Sequence, residues 1–419
     1  MKYLLLAAAC LFSPRALGAT RTLTLSEAYR LALAHSEQVA LSAENHEELV
    51  AKAEEIFSNI LPRVSVMGSE TLQHVPSGQS NQFIQGHREQ GWISAHQPLF
   101  AGFREFLAYR ASKMQGESGE LMLERVKHLL YLDVARSFLD LRGAQNEIEL
   151  RQALVGVTRD RIKELTSRIA VGRSRRGELL AAESALASAL AFVEQARAKE
   201  RAALSRLCFL TGTEETELVP VEPSLAREVP DLDALLRRAR ARPDVAAKKA
   251  EARAAELAAT IVSRRRWPSL ALDANYYLHR PPSFTDRVKW DAAITGSLPL
   301  YAGGEISAQT RQQAARLRAA KQALALAERT AELEARIARE DLKTSARVVS
   351  SLAAAADAAQ ADAKSQAEDY RLGQVSNLDV FASLNALWQT RLGLDQARLE
   401  STWARVRLEV AAGSPGGPL

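Results

Sequence analysis

Two stretches of this chain repeat one another at a fixed distance, and that repetition constrains the fold more than any single motif does. Ile169-Ala170-Val171-Gly172-Arg173-Ser174-Arg175-Arg176-Gly177-Glu178 is echoed by Tyr370-Arg371-Leu372-Gly373-Gln374-Val375-Ser376-Asn377-Leu378-Asp379. Gly172 and Gly373 lie 201 positions apart, as do Glu178 and Asp379, and Pro98 and Pro299. In each copy a helix stops at a glycine, which takes a left-handed cap without steric penalty. A short polar link follows, and a new helix opens with an acid in its first turns, where the helix dipole favours negative charge. Taken alone, such a pair of turns fits ordinary helical hairpins as well as it fits a functional tip.

The flanks of these turns exclude an ordinary globule. From about Phe103 to Ile169 there is no proline, and Leu123, Val126, Leu130, Val134, Phe138 and Leu141 recur at steps of three and four. At the α-helical rise such a helix is roughly 100 Å long. Coiled coils and helical tubes use that length; globular domains do not. A second run of this kind leads to Leu372. Composition agrees, because Ala, Leu, Arg and Glu dominate and only 6% of residues are aromatic. Runs such as Ala353-Ala354-Ala355-Ala356 fit close helix approach and simple helix propensity equally.

The remaining segments complete a repeating order. Leu25 to about Asn59 reads as helical, with Ser26 as N-cap, a break near His35-Ser36 and a stop at Pro62. The period then changes to two. Val64, Val66, Gly68, Glu70 and Leu72 alternate with Ser65, Met67, Ser69, Thr71 and Gln73, which predicts a strand from Arg63 to about Val75 whose apolar face Glu70 interrupts. Pro76 to Asn81 reads as a loop, and a second strand runs from about Gln90 to Leu99. After the first long helix and tip, a helix ends at Thr211-Gly212, and prolines punctuate residues 213–230. The order then restarts: Leu232-Asp233-Ala234-Leu235-Leu236 matches Leu25-Ser26-Glu27-Ala28-Tyr29, and Trp267-Pro268 matches Leu61-Pro62. Ser269 to His279 and Val288 to Leu300 form the second strand pair, followed by the second long helix and a last helix from about Asn377 to Ala411. The resulting plan is a signal peptide over 1–18, a first repeat over 19–212 (hairpin about 63–99, tip about 170–177) and a linker over 213–230. A second repeat covers 231–412 (hairpin about 269–300, tip about 371–378), and a disordered tail covers 413–419.

The signal reading rests on Lys2, the apolar run Leu4 to Phe12 and the small residues Ala16-Leu17-Gly18 before Ala19. Lipidation of Cys10, which follows Ala7-Ala8-Ala9, is the alternative. Cleavage after Gly18 removes Lys2 and Arg15, takes the formal charge from +5 to +3, and leaves Cys208 as the single thiol, so no disulfide is expected. The mild charge, and the lack of aromatics among clusters such as Arg264-Arg265-Arg266, argue against nucleic-acid binding. No later segment holds 18 consecutive apolar residues, so no transmembrane helix is expected.

Four strands of about ten residues cannot close a barrel, and left open their edges would aggregate. Strands of that length do span an outer membrane when tilted. Several protomers must therefore contribute hairpins to one closed barrel, with the long helices packed as a tube. In that arrangement the face carrying Leu270, Leu272, Tyr276 and Leu278, and Trp290, Ile294 and Leu298, is expected to meet lipid.

The junctions Gln97-Pro98-Leu99-Phe100-Ala101-Gly102 and Leu298-Pro299-Leu300-Tyr301-Ala302-Gly303, the two tips and the duplicated order together resemble the TolC family of outer-membrane efflux ducts, over roughly residues 23 to 412. The resemblance implies a mainly α chain with membrane β: a homotrimer forming a twelve-stranded barrel in the outer membrane of a Gram-negative bacterium, continuous with a twelve-helix tunnel in the periplasm. It implies passive conduction, with no cofactor, and partnership with a periplasmic adaptor (a membrane fusion protein) and, through it, an inner-membrane pump or secretion ATPase. Asp379 matches a position of the acidic ring that narrows the periplasmic entrance. The place three residues on, where family members often carry a second acid, is Ala382, and Glu178 is the candidate to take its part. Tyr370 matches a tyrosine that helps hold the entrance shut. Val171, Gly172, Arg173, Leu372, Gly373 and Gln374 match tip positions that meet adaptor hairpins. Without the resemblance, Asp379 and Glu178 read as plain helix-start acids.

No enzyme constellation is present. The histidines lack metalloprotease spacing and no Walker-type glycine loop occurs. The alternative function is a soluble periplasmic coiled-coil adaptor or structural protein. That reading expects one helical hairpin flanked by small β-domains, whereas this chain carries two strand pairs set between helices in duplicate.

Overall fold

A computed structural model describes residues 21–75, 86–214, 218–220, 230–282 and 285–414. The expected signal peptide and Cys10, the loop after Pro76, most of the proline-rich linker and the end of the tail lie outside the described residues.

The elements run in duplicate order. The first set is α1 (Leu25–His35), α2 (Glu37–Ser58), the strands β2 (Arg63–Leu72) and β3 (His87–Phe100), α3 (Arg104–Ala170) and α4 (Arg176–Thr211). The second is α5 (Leu232–Arg240), α6 (Pro243–Ser263), β5 (Ser269–His279), β6 (Trp290–Ser297), α7 (Glu305–Arg371) and α8 (Asn377–Ala411). The long helices α3 and α7 each contain 67 residues. Two short strands, β1 (Arg21–Leu23) and β4 (Leu218–Pro220), precede and follow the first set.

The chain divides into two compact units that cut across this duplication. One comprises residues 1–37, 127–235 and 334–419, the other 38–126 and 236–333. In the first unit, Val134, Phe138 and Leu141 of α3, Leu207 of α4 and Val406 and Leu408 of α8 are buried. Val155 of α3 clusters with Ala189 and Val193 of α4. Helix α4 is the one described helix long and apolar enough to cross a bilayer by composition. Its buried face, at Ala182, Ala189, Val193, Ala196 and Ala203, is a small-residue helix-packing stripe. On α7 the buried positions Ala335, Ala338, Leu342, Ala356 and Ala363 follow helical spacing, while Ala354 and Ala355 are exposed.

Two local features differ from the sequence reading. Thr24, not Ser26, caps α1: its backbone is extended and its side chain accepts from the Glu27 amide at 3.2 Å. Ser26 falls inside the first turn, where its own amide no longer begins the helix. The β1–β4 pair is parallel, with Arg21 opposite Leu218 and Leu23 opposite Pro220. It ties the start of the described chain to the linker. Gly212 closes α4 with φ 65°, and a Cβ there would lie 2.5 Å from the His35 ring, so both the backbone and the packing require glycine.

The second unit holds a four-stranded antiparallel sheet in the order β2-β3-β5-β6. The strands start and stop a few residues away from the sequence estimate. β2 ends at Leu72 rather than Val75, and β3 begins at His87. β6 is confined to Trp290–Ser297 because a turn returns the Val288 amide to the Thr285 carbonyl, and Pro299 lacks the amide needed to extend the ladder. Register places Leu272 opposite Ile294 and Tyr276 opposite Trp290 on one face. Ile93 pairs with Tyr276 and Val66 with Ile93, which extends that face across the sheet. The opposite face is polar: His96 bonds Asp273 at 2.6 Å, and Asn275 donates to Asp291 at 3.0 Å. Leu278 lies near the end of β5 and Leu298 just beyond β6, both exposed.

Where strand gives way to helix, Gly102 and Phe103 (φ 67° and 59°) occupy the left-handed region, and so do Gly303 and Gly304 (58° and 85°). Phe103 is the one described non-glycine residue with positive φ. Its ring packs edge-on against Phe100 at 5.3 Å. Left-handed backbone at such a residue costs about 1–3 kcal/mol, a cost the second repeat avoids with Gly304.

Candidate functional site at the helical tips

Both tips lie in the first unit and are built by the same local chemistry. At the first, the Gly172 amide donates to the Ile169 carbonyl at 3.0 Å and the Arg173 amide to the Arg168 carbonyl at 2.8 Å. At the second, Gly373 donates to Tyr370 at 3.1 Å and Gln374 to Asp369 at 2.9 Å. These are paired Schellman motifs, which need a left-handed residue after the helix; Gly172 and Gly373 supply it with φ 71° and 77°. Val171 and Leu372, one residue before each glycine, are apolar and 67% and 72% exposed.

The two helix starts are not equivalent. In α8 the Ser376 amide (2.9 Å) and hydroxyl (2.6 Å) both donate to Asp379 Oδ2. Those hydrogen bonds hold the Asp379 carboxyl below its ordinary 3.8. In α4 the cap position is Arg175, which makes no side-chain cap. Glu178 is therefore free to accept from the Ser174 hydroxyl at 3.0 Å and the Tyr370 hydroxyl at 3.4 Å. So the acid of the second tip caps its own helix, and the acid of the first reaches the opposite tip.

Tyr370 is the buried centre of the arrangement, 7% exposed. Its ring lies between two guanidinium groups of α3, with Arg161 at 4.0 Å and Arg168 at 4.6 Å from the centroid. Glu164 binds both, through Arg161 at 2.7 Å and Arg168 at 2.9 Å. Arg161 is itself buried and donates from Nε to Asn377 Oδ1, at the start of α8, at 2.9 Å. A desolvated cation–π contact contributes about 2 kcal/mol. Tyr370, Glu178 and the start of α8 are thus brought together, with Asp379 on the same first turn. Arg161, Glu164, Arg168 and Asn377 were not singled out from sequence. The available signal was the 161/164/168 spacing, which places two arginines and an acid on one helix face.

With this geometry in place, comparison with known proteins assigns the fold. Residues 28–213 match the family model "Outer membrane efflux protein". The outer membrane efflux protein BepC of Brucella suis is 24% identical over 327 residues, covering 77% of this chain and 71% of that protein. The outer-membrane channel OprN superposes with a TM-score of 0.81 at 20% identity, over 93% of this chain and 90% of its own. The outer membrane protein VceC of Vibrio cholerae gives 0.81 at 18% identity, over 94% and 97%. The matched family segment is the first repeat, and the shared fold extends through the second. The first repeat thus resembles the outer membrane efflux protein family, and the fold of the whole chain is that of outer-membrane channels such as OprN.

Proposed function

We propose that three copies of this chain form a passive outer-membrane duct for efflux or secretion, with no chemistry of its own. The observation that carries this reading is the sheet. Among the described residues β2 pairs only with β3 and β6 only with β5, so both edges are unpaired. Unpaired edges are a template for further strands. Three sheets joined edge to edge give twelve strands, enough to close a barrel with its apolar face outward and its polar face lining a lumen. Leu270, Leu272, Tyr276, Leu278, Trp290, Ile294 and Leu298 then meet lipid, while Asp273, His96 and Asp291 line the passage.

The tips form the periplasmic entrance. Asp379 and Glu178, repeated by symmetry, place carboxylates around the opening, and rings of carboxylates favour cations. Tyr370, held between Arg161 and Arg168, ties the two tips of one protomer and restrains the opening. Val171, Gly172, Arg173, Leu372, Gly373 and Gln374 offer an apolar, open-backed surface to the hairpins of a periplasmic adaptor, which joins the duct to an inner-membrane pump or secretion ATPase. The match of residues 28–213 to the efflux family model and the exposure of Val171 and Leu372 support this assignment.

Native mass spectrometry of the detergent-purified protein tests the assembly. A trimer is expected; a folded monomer would refute it. Site-specific photo-crosslinking from Val171 and Leu372 in cells tests the docking surface, which fails if neither position captures a periplasmic adaptor.

A further inference from the structure

We propose that Glu70, His87 and Glu89 form a divalent-cation site of zinc type on the apolar face of the sheet, at the loop end of the first hairpin. The ladder sets Glu70 directly opposite Glu89, and His87 lies two residues from Glu89 on the same side of its strand. His87 Nε2 lies 2.8 Å from Glu70 Oε1 and 3.4 Å from Glu89 Oε1, and one ligand atom from each of the three residues falls within 4.8 Å of the others. One imidazole nitrogen and two carboxylate oxygens are a zinc-type donor set, and three protein ligands leave a position open for water or another oxygen. Donors about 2.1 Å from a tetrahedral ion stand roughly 3.4 Å apart, so small rotamer changes seat one.

Ion pairing within the trio does not account for it. The other acids of the sheet each have their own partners: Asp273 has His96 and Thr295, and Asp291 has Asn275 and Arg280. Here two carboxylates share one imidazole, and like charges directly opposite one another destabilise a sheet. The second repeat shows what the same place holds otherwise. Arg63 pairs with His96 as Ser269 pairs with Ser297, and seven residues further along each ladder stand Glu70–Glu89 and Tyr276–Trp290. An aromatic cross-strand pair is what a membrane-interface girdle uses. In the first repeat that pair is replaced by two acids beside a histidine, on a face that otherwise carries Val64, Val66, Ile93 and Ala95. A divalent cation neutralises both carboxylates and takes the imidazole as a neutral ligand.

The test uses the detergent-purified full chain after chelator dialysis. Isothermal titration with Zn²⁺ should show one ion per chain, a stoichiometry independent of oligomeric state, so its failure is distinct from failure of the duct reading. Co²⁺ should give a visible ligand-field band. His87→Ala and Glu89→Gln should each weaken Zn²⁺ binding at least tenfold and abolish the band, while His279→Ala changes neither. If His87→Ala does not assemble, the near-isosteric Glu89→Gln carries the test. Substoichiometric binding to the native chain, or native affinity in Glu89→Gln, overturns the proposal.

Discussion

The guanidinium of Arg161 lies 4.0 Å from the centre of the Tyr370 ring, and its Nε donates to Asn377 on the far side of the second tip. One buried side chain of the first long helix therefore holds both the end of α7 and the start of α8. Arg161→Ala should loosen the proposed entrance, raising the time-averaged conductance of reconstituted channels severalfold, whereas Tyr370→Phe, which keeps the ring and loses only the 3.4 Å contact to Glu178, should change it little. Equal effects from the two substitutions would show that the hydroxyl, not the stacked ring, is the restraint.

Asp379 should act as a charge as well as a cap. The Ser376 hydrogen bonds lower its pKa, so the folded tip favours the ionised form. The contribution to the cap is complete above the ordinary 3.8 and is lost as pH falls through the lower folded value. Cation selectivity, read as reversal potential in a salt gradient, should thus persist at pH 4 and decline below it. Asp379→Asn should reduce it at neutral pH, and adding Glu178→Gln should reduce it further.

A second acid does structural work in the other unit. Arg242 is 2% exposed, and Asp244 accepts from its Nε at 3.0 Å and its Nη2 at 2.7 Å. Burial pushes the Asp244 carboxyl up, but these bonds and the charge of Arg125 outweigh it and leave the pKa below 3.8. Its stabilising effect is present above that value and fades as pH falls through the folded pKa. Asp244→Ala removes the bidentate carboxylate partner of a buried cation and should lower the denaturant midpoint; an unchanged midpoint would show that the other contacts of Arg242 are enough to hold it.

On the sheet, Leu272 faces Ile294 across the ladder, within the face assigned to lipid. Leu272→Arg should cost about 2–4 kcal/mol if it sits near mid-membrane, measured by reversible unfolding in lipid. Substitution of Asp273, on the opposite face, by Arg should be tolerated much better and should instead alter selectivity. The reverse ranking would turn the sheet inside out.

The long helices and the strands were legible because their signals are local. The absence of proline and the three-and-four spacing through Leu130, Val134, Phe138 and Leu141 mark α3, and alternation from Leu270 to Leu278 marks β5. The tip glycines were legible because only glycine takes the left-handed turn cheaply. Thr24 and Ser26 are both good cap residues two positions apart, so composition does not choose between them; the extended backbone at Thr24 does. Strands of three residues carry no periodicity, and β1 finds β4 only after a whole repeat has folded between them. Arg161 was hidden for the same reason. Its neighbours in sequence give it an ion pair with Glu164, but the ring and amide it organises come from the other repeat, 216 residues away at Asn377.

Single-channel recording of the purified protein in planar bilayers decides whether the chain forms a duct. Discrete, cation-selective conductance steps are expected from the trimer, blocked by a trivalent cation from the side bearing the tips, with the block weakened in Asp379→Asn. A correctly folded protein that inserts without conducting, or that conducts with selectivity and block unchanged by Asp379→Asn, would contradict the proposed duct.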